Sequence, residues 1–254
     1  MDLPRNAFKR ALAELRPQVG LWSSLTSHIG AEIVAHCGFD WILLDTEHSP
    51  NDIPLLVAQL QALKGGTAAP VVRVAWNDPV LVKRALDIGA QSILFPYVQN
   101  ADEARRAVAA TRYPPQGIRG VASSTRAAGY GRTKDYLVRA ADEICVLVQV
   151  ETRPALDQLE AIAAVEGVDG VFIGPNDLAA ALGHLGNIPH PDVQKAIADA
   201  LGRLKAKRKA AGFLTSNVAE AKRCFADGFT FVAVGSDTGL LQRGGDELVK
   251  QFKP

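Results

Sequence analysis

Two carboxylates, Glu151 and Asp177, each close an apolar run. Val146, Leu147, Val148 and Val150 lead into Glu151, and Val171, Phe172 and Ile173 lead through Gly174-Pro175-Asn176 to Asp177. Oxygen donors with no thiolate and no second histidine beside them suit Mg²⁺, Mn²⁺ or another divalent ion that keeps several waters better than they suit zinc. Open positions on such an ion accept a 2-oxo acid such as pyruvate through its carboxylate and keto oxygens. As a Lewis acid the ion then stabilises the enolate formed when a C3 proton is lost or a C3 to C4 bond is cut.

Other apolar runs end in groups that complement this pair. One ends in Asp45-Thr46-Glu47-His48, one in Arg73-Val74-Ala75, one in Gln149-Val150-Glu151 and one in Asn176-Asp177. Arg73 supplies a fixed cation beside a developing oxyanion. His48 is the residue type of the set that exchanges protons near neutral pH. A single charged strand end is ordinary, because strands end in solvent; four ends with complementary groups point to an active site. Every lysine falls on an expected helix or loop, which argues against imine chemistry. His28, His36, His184 and His190 read as surface or core residues.

These groups must be placed by strands. The runs at Gln18 to Ser24, Trp41 to Thr46, Pro70 to Ala75, Ser92 to Val98, Cys145 to Glu151, Val168 to Gly174, Ala211 to Ser216 and Phe229 to Gly235 read as eight strands. Helical spacing follows each one, at 27 to 36, 52 to 63, 79 to 88, 101 to 111, 153 to 165, 191 to 210, 217 to 227 and 238 to 251. Strand and helix alternating eight times over 254 residues predicts an α/β fold, a single (β/α)8 TIM barrel spanning 1–254. No G-x-G-x-x-G follows the first strand to favour a doubly wound open sheet. Consecutive parallel strands lie side by side, so Glu151 and Asp177 should face each other on one rim. The segment from Pro114 to Arg132, rich in glycine and arginine, is too long for a routine loop. It reads equally as a cover for the barrel bottom and as a functional element.

Composition narrows the partners. With 28 basic and 27 acidic residues the net charge is +1, which argues against coating nucleic acid or an anionic membrane. No apolar run nears the roughly 18 residues of a membrane span, and the N-terminus lacks the apolar core of a signal peptide. Cys37, Cys145 and Cys224 lack metal-site or redox spacing and read as reduced thiols. The expectation is a cytoplasmic protein acting on small molecules.

The motifs Gly20-Leu21-Trp22, Asp45-x-Glu47-His48, Val72-Arg73-Val74, Gln149-x-Glu151-Thr152 and Gly174-Pro175-x-Asp177-Leu178, together with the 114 to 132 segment, resemble those of the HpcH/HpaI family of metal-dependent class II pyruvate aldolases. That resemblance implies a lyase that reversibly cleaves a 4-hydroxy-2-oxo acid, of the 2-dehydro-3-deoxy sugar acid or 4-hydroxy-2-oxoheptanedioate type, to pyruvate and an aldehyde through a metal-bound enolate. It implies Mg²⁺, Mn²⁺ or Co²⁺ on Glu151 and Asp177, His48 as acid/base and Arg73 beside the enolate. It also implies Gln149, Asn176 and Asp177 at the substrate, with Trp22, Phe172 and Leu214 as apolar walls. Asp87 is implied as the acid that raises the basicity of the histidine, yet it lies at the end of a helix before Gly89, at the barrel bottom. The two statements agree if Asp87 serves a neighbouring subunit, which predicts a homo-oligomer, a hexamer by the resemblance, with sites near subunit interfaces. Asn176 departs from the alanine or serine usual at its position, which bears on the aldehyde. Oxaloacetate decarboxylation, a citrate-lyase-β-like cleavage of an acyl-CoA, and a 2-oxo acid binder without turnover are the other readings.

Overall fold

The computed structural model describes residues 1–253. Eight short apolar runs form parallel strands: β1 (Gln18–Ser23), β2 (Trp41–Asp45), β3 (Ala69–Arg73), β4 (Ser92–Phe95), β5 (Cys145–Val150), β6 (Gly170–Ile173), β7 (Ala210–Leu214) and β8 (Phe231–Ser236). Each pairs with the next, and β8 pairs with β1, so the sheet closes into a barrel. The helices are α1 (Ala7–Ala13), α2 (His28–Ala35), α3 (Ile53–Ala62), α4 (Pro79–Asp87), α5 (Ala101–Thr111), α6 (Tyr136–Glu143), α7 (Arg153–Asp157), α8 (Leu159–Ala163), α9 (Pro175–Ala181), α10 (Pro191–Ala206), α11 (Val218–Asp227) and α12 (Asp237–Lys250). The expected (β/α)8 architecture is the observed one. No helix among the described residues is long and apolar enough to cross a membrane.

Element bounds differ from the expected ones for local reasons. The strand expected over Ser92 to Val98 stops at Phe95, because Pro96 has no N–H to give a ladder. The helix expected over 153–165 is two, α7 and α8, with Gln158 between them. There the Leu156 carbonyl, which Glu160 would use in an unbroken helix, accepts instead from Arg203 Nη2 at 2.8 Å. The helix expected to reach residue 210 ends at Ala206, since Arg208 turns left-handed at φ 52°. Helices α6 and α9 were not expected at all; α9 starts with Pro175 as its first residue, a preorganised helix start.

Alternation along the strands divides the core in two. Trp41, Leu43, Val71, Leu94, Leu147, Phe172 and Phe231 fill the barrel interior, and Phe8 and Leu12 of α1 plug its N-terminal end. The rings of Phe8, Trp41 and Phe231 meet at 5.7, 5.8 and 5.9 Å between centroids. Truncating one of them to alanine would cost roughly 3–5 kcal/mol. A Cβ at Gly20 would collide with the Trp41 ring, and one at Gly212 with Phe231, so glycine at both strands makes room for the plug. The other strand faces pack outward on the helices.

Closure at β8 and β1 is tied by Asp237, the first residue of α12. Its carboxylate accepts from Ser23 Oγ at 2.7 Å and from the backbone N–H groups of Ser24 and Leu25 at 2.9 and 3.2 Å. It is 5% exposed, while every other residue of α12 stays at least partly open to solvent. The helix is therefore held to the C-terminal rim by its first turn.

Candidate active site

The C-terminal rim gathers the polar strand ends. Register places Asp45 of β2 opposite Arg73 of β3. Arg73 donates from Nε to Asp45 Oδ1 at 2.9 Å and from Nη2 to Oδ2 at 2.6 Å. Its third nitrogen, Nη1, lies 2.7 Å from Glu47 Oε2. The guanidinium carbon sits 4.7 Å from the centroid of the Trp22 ring, and Trp22 Nε1 donates to Asp45 Oδ2 at 3.2 Å. Burial alone would raise the Asp45 carboxyl, but the hydrogen bonds and charge of Arg73 hold it below the ordinary carboxylate range. A buried guanidinium is thus locked in one orientation by a fork and a ring face.

Glu151 follows β5 directly and is 1% exposed. The Tyr97 backbone N–H donates to its Oε1 at 2.8 Å, and Gln149 Nε2 to its Oε2 at 2.5 Å. Gln149 is also buried, and its Oε1 has no partner. Burial above all, followed by the charges of Asp177 and Glu47, pushes the Glu151 carboxyl up to about 7 against those two hydrogen bonds. Glu47 is likewise raised, first by burial and then by Asp45 and Asp177, in opposition to Arg73 and His48. Asp177, in the first turn of α9, is exposed.

These acids press on one another electrostatically, and an added divalent cation would relieve all of them. The donors are oxygens only, and a Cβ at Gly174 would collide with Glu151 Oε2, so glycine keeps the carboxylate's space clear. The residues present therefore fit a hard divalent ion.

A cavity of about 650 Å³ opens beside this cluster, with Trp22, His48, Arg73, Asn176 and Leu214 on its walls. The His48 side chain is 66% exposed, and its Nε2 lies 3.8 Å from Glu47 Oε2. Of the residues singled out in the sequence, the structure brings Trp22, His48, Arg73, Gln149, Glu151, Asn176, Asp177 and Leu214 to this rim. Phe172, 2% exposed, is barrel interior and packs on Trp22 at 5.5 Å.

Asp87 is not brought to His48. It ends α4 on the opposite face, where Arg119 Nη2 donates to it at 2.8 Å. Arg119 comes from the 114 to 132 segment, which packs on that same end: Ala127 N–H donates to the Asp87 carbonyl at 3.0 Å. Within one chain the segment belongs to the barrel bottom.

Sequence reasoning did not single out Asp45 as the anchor of Arg73. The signal was present, since Trp41, Leu43 and Asp45 alternate onto the barrel interior. The part played by Tyr97 is a backbone one and leaves no side-chain signature. His184 and His190, read as surface or core residues, lie together with Asp192, their ligand atoms within 4.8 Å of one another. The two imidazoles stack at 3.5 Å and 15°. Rings so nearly parallel do not aim their in-plane lone pairs at one point, so this cluster is a stacked cap at the start of α10, where His190 Nδ1 accepts from Asp192 N–H.

The C-terminal rim of this (β/α)8 barrel thus gathers carboxylates around a buried arginine held by Asp45 and Glu47. The model described as HpcH/HpaI aldolase/citrate lyase matches residues 18–243, and the chain belongs to this family of carbon–carbon lyases. A pyruvate aldolase of Rhizobium etli is 56% identical over 252 residues, covering 99% of each chain. A 4-hydroxy-2-oxo-heptane-1,7-dioate aldolase of Salmonella dublin is 54% identical over 249 residues, 98% of this chain and 95% of that one. Among solved structures, an HpcH/HpaI aldolase/citrate lyase family protein from Burkholderia cenocepacia superposes with a TM-score of 0.95 at 42% identity, over 98% of this chain and 100% of the other.

Proposed function

We propose that the chain acts as one barrel domain, residues 1–254, that reversibly cleaves a 4-hydroxy-2-oxo acid to pyruvate and an aldehyde. A divalent ion, Mg²⁺, Mn²⁺ or Co²⁺, would be held by Glu151 and Asp177. The observation that carries this reading is the buried Glu151, raised to about 7, on the same rim as a guanidinium locked by Asp45. When bound, the ion would supply Lewis-acid polarisation of the substrate's keto group.

The protein's own groups do the rest. Arg73, unable to reorient, places positive charge where the enolate oxygen develops. Trp22 covers the other face of that guanidinium and keeps water from it. His48, at the cavity edge, takes the C4 hydroxyl proton in cleavage, directly or through a water, and returns it in synthesis. Asn176 and Leu214, on the cavity wall, would meet the departing aldehyde, and Gln149 braces Glu151 through its amide N–H. Asp87 would act on a histidine only across a subunit boundary, so a homo-oligomer with sites near its interfaces is part of the proposal.

The test is pyruvate release from a 4-hydroxy-2-oxo acid, followed with lactate dehydrogenase. Release that stops in excess EDTA and returns with Mn²⁺ is expected. Full turnover in the chelator would contradict the reading.

A further inference from the structure

Residues 97–99, which follow β4, bond at each position to residues 149–152 at the tip of β5. The Tyr97 N–H reaches Glu151 Oε1 at 2.8 Å, and the Val98 N–H donates to the Gln149 carbonyl at 3.0 Å. Gln99 completes the set: its Nε2 donates to the Tyr97 carbonyl at 3.1 Å, and its Oε1 accepts from Thr152 Oγ1 at 2.5 Å. The segment that holds the Glu151 carboxylate thus also grips the chain on both sides of it.

Tyr97 makes its contact from an unfavourable backbone. Its φ is 56°, in the left-handed region where a Cβ crowds the following carbonyl and which glycine, asparagine and aspartate visit far more readily than tyrosine. Such a conformation persists only where its surroundings hold it. The hydrogen bonds above are one part of that hold. The other is the Tyr97 ring, which stacks on Trp76 with centroids 5.6 Å apart and planes at 28°. Trp76 lies just after β3, and its loop is fixed to α5 by Asn77 Nδ2, which donates to the Glu103 carbonyl at 3.0 Å. The Glu103 carboxylate in turn accepts from the Gln99 N–H at 2.8 Å. Trp76 and Tyr97 are 54% and 42% exposed, so core burial does not account for the stack.

We infer that Trp76 is a positioning residue of the site: by stacking on Tyr97 it keeps residue 97 left-handed, and so keeps the N–H on the carboxylate that would meet a divalent ion. A segment free to leave this conformation must be brought back before the ion is held, and that cost reads as lost affinity. The inference rests on Glu151 as a metal ligand and adds the device that aims it.

The experiment is Mn²⁺ binding to the full chain without substrate, read by electron paramagnetic resonance. Two substitutions at residue 97 separate ring from backbone, since both remove the stack and both keep the N–H. Tyr97→Val, β-branched and averse to positive φ, is expected to weaken binding by about tenfold. Tyr97→Gly, which adopts this region freely, is expected to bind at least about threefold more tightly than Tyr97→Val. Trp76→Ala is expected to weaken binding by about three- to tenfold, the range of one aromatic pair. In the Tyr97→Gly chain it is expected to add nothing further, because no ring remains to hold. Equal affinities for Tyr97→Val and Tyr97→Gly, or a Trp76→Ala effect that is absent from the otherwise wild-type chain or equally large in the Tyr97→Gly chain, overturns the inference. Should circular dichroism show Tyr97→Val unfolded, the Trp76→Ala comparison across the two backgrounds decides alone. Glu151→Gln separates the two levels. Unchanged Mn²⁺ binding in that variant removes the metal-ligand reading and the brace with it, whereas weaker binding there with no change in Trp76→Ala removes the brace alone.

Discussion

Arg73 offers Nε and Nη2 to the two oxygens of Asp45, at 2.9 and 2.6 Å, across adjacent strands of the barrel. The pair makes the cation a fixture of the site. Arg73→Ala is expected to reduce kcat by roughly 10²–10³-fold, the range for loss of one oxyanion-stabilising group. Arg73→Lys is expected to recover little of it, since one ammonium reproduces neither the fork nor the stacking on Trp22. Steady-state kinetics of both variants, with circular dichroism to confirm folding, check this outcome.

Glu151 is held by two donors, so on the proposed reading a divalent ion would meet a carboxylate already aimed. Glu151→Gln and Asp177→Asn are each expected to weaken Mn²⁺ binding by at least about 100-fold. Gln149→Met, which removes only the brace, is expected to weaken it by about 10-fold to 100-fold. Direct titration of Mn²⁺ by electron paramagnetic resonance measures all three without reference to turnover.

The His48 side chain is 66% exposed, which makes chemical rescue feasible. His48→Ala is expected to lose roughly 10²–10⁴-fold in kcat/KM and to regain activity with added imidazole. A variant that keeps wild-type activity would remove His48 from the proton transfer.

The joint between α8 and α10 carries an acid-sensitive contact. Glu160 is held down at about 2 by the Arg203 hydrogen bond first, with donation from Arg203 Nε at 2.6 Å. A depressed carboxylate contributes stability that is present above its unfolded value and lost as the pH falls through the folded one. Thermal unfolding followed from about pH 4.5 down to about pH 2 is therefore expected to show a steeper loss in the wild type than in Glu160→Gln.

How much of this was legible in the sequence depends on distance along the chain. Glu151 and Asp177 end consecutive apolar runs, and consecutive parallel strands are neighbours, so their common rim followed from chain order alone. Arg73 and Asp45 are likewise on consecutive strands. Their bidentate geometry, however, depends on the β2 to β3 register, which no run of residues states. Asp87 shows the converse: a residue implied by resemblance is placed by the fold 32 residues short of Arg119 in sequence yet in contact with it, at the far end of the barrel from His48. Tyr97 acts through its N–H and Asp237 through a strand-to-helix corner, and neither role has a preferred side-chain pattern. The division of the 153 to 165 helix followed from Arg203, a residue 47 positions from the carbonyl that it takes.

Proton exchange at pyruvate C3 tests the central claim most directly, because it requires the enolate and needs no knowledge of the aldehyde. With pyruvate and Mn²⁺ in deuterium oxide, loss of the methyl proton signal by nuclear magnetic resonance is expected for the wild type, to be abolished in excess EDTA and in Arg73→Ala. A folded, Mn²⁺-loaded protein that leaves the methyl protons in place, or one that exchanges them equally fast in EDTA, would contradict the account.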